Sequence, residues 1–123
     1  MGNIIESVIV EKDPQYRKLY ISTVQSLGAS VLSSSGDPMT ALKIIAEKQP
    51  KILIMDIVLS GIDGIEYIRT VRSIAPATSI IIITDLVNET VLKQCTESGV
   101  ARYVNKPLNA DMISFIISQH IKA

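Results

Sequence analysis

The chain has 123 residues, 47% of them hydrophobic and 20% charged, which suits one domain with a substantial core. Twelve basic residues balance twelve acidic ones, so no net field draws it to nucleic acid, anionic lipid or acidic substrates. The single Cys95 excludes an internal disulfide, and no run approaches the roughly 18 apolar residues that a membrane span needs. The segment Met1 to Glu6 lacks the basic stretch and long apolar core of a signal peptide, and Glu6 stands where a myristoylation motif starting at Gly2 needs Ser or Thr. One globular unit over residues 1–123, working in a reducing cytoplasm without membrane contact, is the expectation.

Short β-branched runs alternate five times with longer stretches of helical period, the pattern of βα units around a parallel sheet. Ser7 to Glu11 reads as the first strand, and Asp13-Pro14 as the cap and first residue of a helix that Gly28 stops after Leu27. Ala29 to Ser33 is a short second strand, with Ser33, Ser34 and Ser35 starting a loop. Asp37-Pro38 repeats the cap signal before a helix whose Ala41, Leu42, Ile45 and Ala46 face inward, and Pro50 closes that unit. Ile52 to Met55 is apolar on both faces, as a central parallel strand is, and Gly64 to Ile74 follows as a helix with Ile65, Ile68, Val71 and Arg72 at helical spacing. Ser79 to Thr84 is a second buried strand, Asn88 to Ser98 a helix ended by Gly99, Ala101 to Val104 a short strand, and Asn109 to Lys122 the last helix. The expected object is an α/β fold, a five-stranded parallel sheet with helices on both faces.

On that architecture Glu11, Lys12, Asp56, Thr84 and Lys106 fall at or just after the C-terminal ends of strands one, three, four and five. Strand ends of an open parallel sheet converge on one edge, so residues far apart in sequence become neighbours there. Asp56 is the most informative of them: a carboxylate that ends the apolar run Ile52-Leu53-Ile54-Met55 and is followed at once by turn residues.

In these pieces the chain resembles the receiver domain of two-component response regulators. The resemblance runs from Val8 to about Ile121 through Val8-Ile9-Val10-Glu11, Asp56 with Gly61-Ile62-Asp63-Gly64, Ile82-Ile83-Thr84, and Tyr103-Val104-Asn105-Lys106-Pro107. It implies a flavodoxin-like, doubly wound (βα)5 sheet of order 2-1-3-4-5. It also implies that Asp56 accepts a phosphoryl group from a histidine kinase or phosphotransfer protein, that the Thr84 hydroxyl hydrogen-bonds that group, and that Lys106 pairs with its charge. Those residue types suit the chemistry, because a carboxylate attacks phosphorus while donors and cations hold the oxygens of a loose transition state. The resemblance further implies Mg²⁺ held by Glu11, Asp56 and the backbone carbonyl of Val58, and a cis Lys106-Pro107 bond that aims the lysine. Tyr103 matches an aromatic that changes rotamer when Thr84 moves, making helix four, strand five and helix five the surface read by a downstream protein. Val58 and Leu86 would flank the phosphoryl group and slow its loss to water.

Two positions depart from the family pattern. Lys12 falls where a second acidic residue usually ligates the metal, with Asp13-Pro14 securing the register, and an ammonium repels a divalent cation. Asp85 stands where a small residue usually follows the switch threonine. The expectation drawn from both is that Lys12 occupies part of the cation site, with Asp56, Glu11 and Asp85 as partners, against the plainer reading of Lys12 as a solvated surface lysine.

The leading function is therefore a phosphoacceptor signalling domain rather than an enzyme, and Lys12 and Asp85 keep a pseudo-receiver, a phosphorylation-independent binding module, as the alternative. A flavin-binding reading fails because Glu11-Lys12-Asp13-Pro14 is charged and opens directly into a helix. An aspartate-based phosphatase fails because Val58, not a second Asp, lies two residues after Asp56. His120 near the end of the last helix reads as a cation on the helix dipole, and Cys95 as structural.

Overall fold

Each helix opens behind an Asp or Asn whose side chain accepts a backbone N–H of the first turn, and these caps divide the chain into its units. In the computed structural model, which describes residues 4–121, the order is β1 (Glu6–Val10), α1 (Pro14–Ser26), β2 (Ser30–Ser35), α2 (Pro38–Lys48), β3 (Ile52–Met55), α3 (Gly64–Ile74), β4 (Ser79–Thr84), α4 (Glu89–Glu97), β5 (Arg102–Asn105) and α5 (Ala110–Ile121). The caps are Asp13, Asp37, Asp63 and Asn88, and Asn109 does the same for α5 through Met112 N–H. Pro14 and Pro38 sit at the first helical positions, where a missing N–H costs nothing.

The five strands are parallel in the order β2-β1-β3-β4-β5, so the doubly wound expectation holds. Alternation along the three central strands builds two cores from one sheet. Val8, Val10, Leu53, Met55, Ile80 and Ile82 face one side, packed with Ala41, Ile45, Ile68 and Val71 of α2 and α3. Ile9, Ile52, Ile54, Ile81 and Ile83 face the other, packed with Tyr20 and Val24 of α1 and Ile113 and Ile117 of α5. The four consecutive isoleucines of β4 are thus divided evenly between the two cores.

Several boundaries differ from the sequence reading. β2 continues through Ser33, Ser34 and Ser35, which pair with Val8, Ile9 and Val10 after a register shift at Ser7/Val8. Serine has little strand preference of its own, and the ladder to β1 overrides it at this half-exposed sheet edge. β5 ends on Asn105 rather than Val104, and Ala46 is exposed because the buried stripe of α2 runs through Pro38, Ala41 and Ile45. Lys122, assigned to the last helix, lies outside the described residues. Gly64 is required by packing: a Cβ there would collide with the carbonyl of Ile57, and that close approach brings α3 tight against the end of β3. None of the helices among the described residues is long and apolar enough to cross a membrane.

Candidate functional site

At the C-terminal edge of the sheet, β1, β3 and β4, with the residue just after β5, each deliver one polar side chain into a common buried cluster. Glu11 follows β1, Asp56 follows β3, Thr84 ends β4 and Lys106 follows β5. The Lys106 ammonium lies 2.8 Å from Glu11 Oε1 and 3.4 Å from Asp56 Oδ2, with side-chain exposures of 5% for Lys106, 1% for Glu11 and 8% for Asp56. Thr84 Oγ1 donates to Asp56 Oδ1 at 2.6 Å, and Val58 N–H donates to the same oxygen at 2.9 Å. Asp56 Oδ2 therefore has the freer lone pairs, with one long contact to the lysine.

Burial alone opposes the charge on Lys106, but the Glu11 hydrogen bond and the nearby charges of Glu11 and Asp56 outweigh it and hold its pKa above the ordinary lysine value. Lys106 is accordingly a fixed cation between two carboxylates. The Lys106-Pro107 bond is cis, in accord with the sequence expectation.

Lys12 does not join this cluster. It is exposed and forms none of the ion pairs found among the described residues, so the expectation that it occupies the cation site is corrected: Lys106 is the ammonium between Glu11 and Asp56. The physical reason is cost, since a second ammonium beside Lys106 would be buried against a like charge, whereas its flexible stem reaches water freely. Asp85 is likewise exposed and unpaired among the described residues, so it does not neutralise Lys12.

The donor set available to Mg²⁺ is short. Two carboxylates converge, both already engaged by Lys106, and no cluster of three or more His, Cys, Asp or Glu exists among the described residues. Glu11 Oε2 accepts Asp13 N–H at 3.1 Å, and the contact seen at Val58 is its N–H on Asp56. Glu11 and Asp56, each held by Lys106, with Lys12 where the family has a further acid, do not fit the Mg²⁺ site that the resemblance implies.

From Thr84 a chain of hydrogen bonds leads away from the cluster. Its Oγ1 accepts Leu86 N–H at 3.2 Å, and the Leu86 carbonyl accepts both the Tyr103 hydroxyl at 2.7 Å and Asn105 Nδ2 at 2.8 Å. Tyr103 is half-buried, its ring against the core that contains Cys95. Cys95 is buried, its thiol pKa pushed up by that burial, as a structural residue's would be. His120 lies in the last turn of α5, where burial and then Arg102 lower its pKa and so oppose the helix-end charge that the sequence reading expects.

Sequence reasoning missed three contributors. Arg17 Nη1 donates to the Glu11 carbonyl at 2.6 Å, Tyr20 OH reaches Glu11 Oε1 at 3.5 Å, and the Lys106 ammonium sits 4.4 Å from the Tyr16 ring centroid. The spacing of Tyr16 and Tyr20 by four, one turn after the acidic segment, was the available signal.

Comparison with known proteins decides the family. The sequence profile of the response regulator receiver domain matches residues 8–118. This chain belongs to that family. The uncharacterized transcriptional regulatory protein YesN of Bacillus subtilis is 33% identical over 89 residues, covering 72% of this chain and 24% of that protein. The regulatory protein AtoC of Escherichia coli is 25% identical over 122 residues, covering 99% of this chain and 26% of its own length. A CheY-like receiver domain protein from Methanospirillum hungatei superposes with a TM-score of 0.88 at 18% identity, covering 97% of this chain and 94% of that one. The chain spans about a quarter to about half the length of the curated relatives it matches.

Proposed function

We propose that this receiver domain accepts a phosphoryl group on Asp56 from the phosphohistidine of a histidine kinase or phosphotransfer protein. The observation that carries the proposal is the convergence of Asp56, Thr84 and Lys106 at one sheet edge, with an Asp56 oxygen facing the lysine at 3.4 Å. An Asp56 carboxylate oxygen attacks phosphorus, a P–O bond forms as the donor's P–N bond breaks, and the bonding pair stays on the imidazole nitrogen. Lys106 and the Thr84 hydroxyl hold the charge on the transferring group, which is where most of the acceleration in such transfers arises. In the family, Mg²⁺ supplies further charge neutralisation when bound.

The second half of the function is a change of surface. Once the Thr84 hydroxyl turns to a phosphoryl oxygen, it leaves its present geometry to Asp56 and Leu86 N–H, and the Leu86 carbonyl transmits the shift to Tyr103 and Asn105. The face of α4, β5 and α5, with Leu92, Met112 and Phe115 exposed, is the surface offered to a downstream protein.

A specific observation favours the pseudo-receiver as second reading. Lys12 replaces an acid, and each oxygen of Glu11 and Asp56 already has a donor within the fold. Acetyl phosphate with and without Mg²⁺, read by intact mass, separates the two. A phosphoryl increment lost in Asp56→Ala supports the acceptor, and a stronger Mg²⁺ dependence in Lys12→Asp identifies Lys12 as the cause of the weakened metal site. No increment in parent or Lys12→Asp, with acetyl phosphate or a histidine-kinase donor, overturns it in favour of the binding module.

A further inference from the structure

Lys106 is a long side chain that must hold its ammonium between two carboxylates, and charge alone does not fix the direction from which it arrives. Three anchors surround it: Glu11 Oε1 at 2.8 Å, Asp56 Oδ2 at 3.4 Å, and the face of Tyr16 at 4.4 Å from the ring centroid. The third anchor is built into α1. That helix begins three residues after Glu11 under the Asp13 cap, so its first turn lies against the site, and the i, i+4 spacing sets the Tyr16 ring against that of Tyr20, tilted by 41° at 5.9 Å between centroids. Tyr20 is fully buried and its hydroxyl reaches Glu11 Oε1, so the pair braces Lys106 and its carboxylate partner together. A hollow of about 200 Å³ lined by Gln15, Tyr16, Leu19 and Leu108 adjoins the same ring.

We propose that Tyr16 is a positioning residue whose ring face holds the Lys106 ammonium over Asp56, with Tyr20 as its brace. The proposal rests on the phosphoacceptor reading for its consequence, but the contact itself does not. Tyr16 touches neither Asp56 nor a substrate; it acts through Lys106. Because the ring face and not the hydroxyl makes the contact, Tyr16→Phe preserves the function and Tyr16→Leu removes it.

The test measures the rate at which a small acylating reagent labels Lys106, by peptide mass spectrometry, with exposed Lys12 and Lys18 as internal controls, beside the initial rate of acetyl phosphate transfer to Asp56. In Tyr16→Leu the labelling of Lys106 rises roughly five- to thirtyfold, the factor a desolvated cation–π contact represents, while Lys12 and Lys18 are unchanged. Tyr16→Phe labels as the parent does. Should Tyr16→Leu fail to fold, Tyr16→Trp carries the test, labelling more slowly than Tyr16→Phe because indole is the strongest ring partner. Equal Lys106 labelling in parent and Tyr16→Leu, or no difference between the Phe and Trp variants where the Leu variant does not fold, overturns the proposal. If the ordering holds but neither the parent nor Lys12→Asp takes up phosphate from acetyl phosphate or a histidine-kinase donor, the phosphoacceptor reading falls and the Tyr16 contact stands. If the parent is phosphorylated and the ordering is absent, the positioning role falls alone.

Discussion

The two ends of the sheet bury polar groups in opposite ways. At the N-terminal end, Ser7 Oγ donates to the Ser30 carbonyl at 2.9 Å and Thr78 Oγ1 to the Pro50 carbonyl at 2.6 Å, so each buried hydroxyl is satisfied by fixed backbone next to it. At the C-terminal end Glu11, Asp56, Thr84 and Lys106 also bind one another, one cation between two carboxylates, beside the backbone N–H groups of Asp13, Val58 and Leu86. Backbone partners cannot be displaced without unfolding, whereas side-chain partners rearrange when a ligand group competes for them. The first arrangement serves stability and the second serves exchange, and that contrast is open to measurement.

The largest effect is on function. Asp56→Asn abolishes the phosphoryl increment in intact mass, while a urea titration shows stability changed by less than about 1 kcal/mol or raised, since Lys106 keeps Glu11 and one of two competing carboxylates is gone. Thr78→Val is the converse: it strands the Pro50 carbonyl and costs about 1–3 kcal/mol in the same titration, with phosphorylation of the folded fraction intact. The contrast breaks if Asp56→Asn proves the more destabilising of the two.

A smaller effect appears in alkali. Lys106 and Tyr20 both have pKa values raised in the fold, Lys106 against its burial by Glu11 and Asp56, Tyr20 chiefly by burial and then Glu11. A raised folded value contributes stability in full below the unfolded value and loses it as pH climbs through the folded one, so the urea midpoint falls above about pH 10. Tyr20→Phe flattens part of that fall. The smallest effect is acidic: the lowered pKa of His120 favours the neutral ring, so stability present above about pH 6.5 is lost as pH drops through the lower folded value. His120→Leu removes that slope, and a slope that persists would show that another group carries it.

Much of this was legible beforehand for reasons that particular residues make plain. The caps Asp13-Pro14 and Asp37-Pro38 act within one turn, and Ile52 to Met55 and the isoleucines of β4 are apolar on both faces, so helix starts and central strands follow from local chemistry alone. The edge strand was less legible because Ser33 to Ser35 are held by pairing with β1 and not by their own preference. Asp56, Thr84 and Lys106 were picked out because strand ends converge, a consequence of topology that spacing reveals.

The sequence by itself determined the five βα units, the faces their apolar residues bury and the edge where the polar residues meet, since periodicity, capping and strand-end position are local properties. Only the tertiary structure decided which ammonium neutralises Glu11 and Asp56, that Lys12 turns to water, that burial and Arg102 disfavour charge on His120 and that Tyr16 and Tyr20 flank the lysine. Those outcomes depend on competition for burial among side chains brought together from different strands and from α1, and no single stretch of chain contains both competitors.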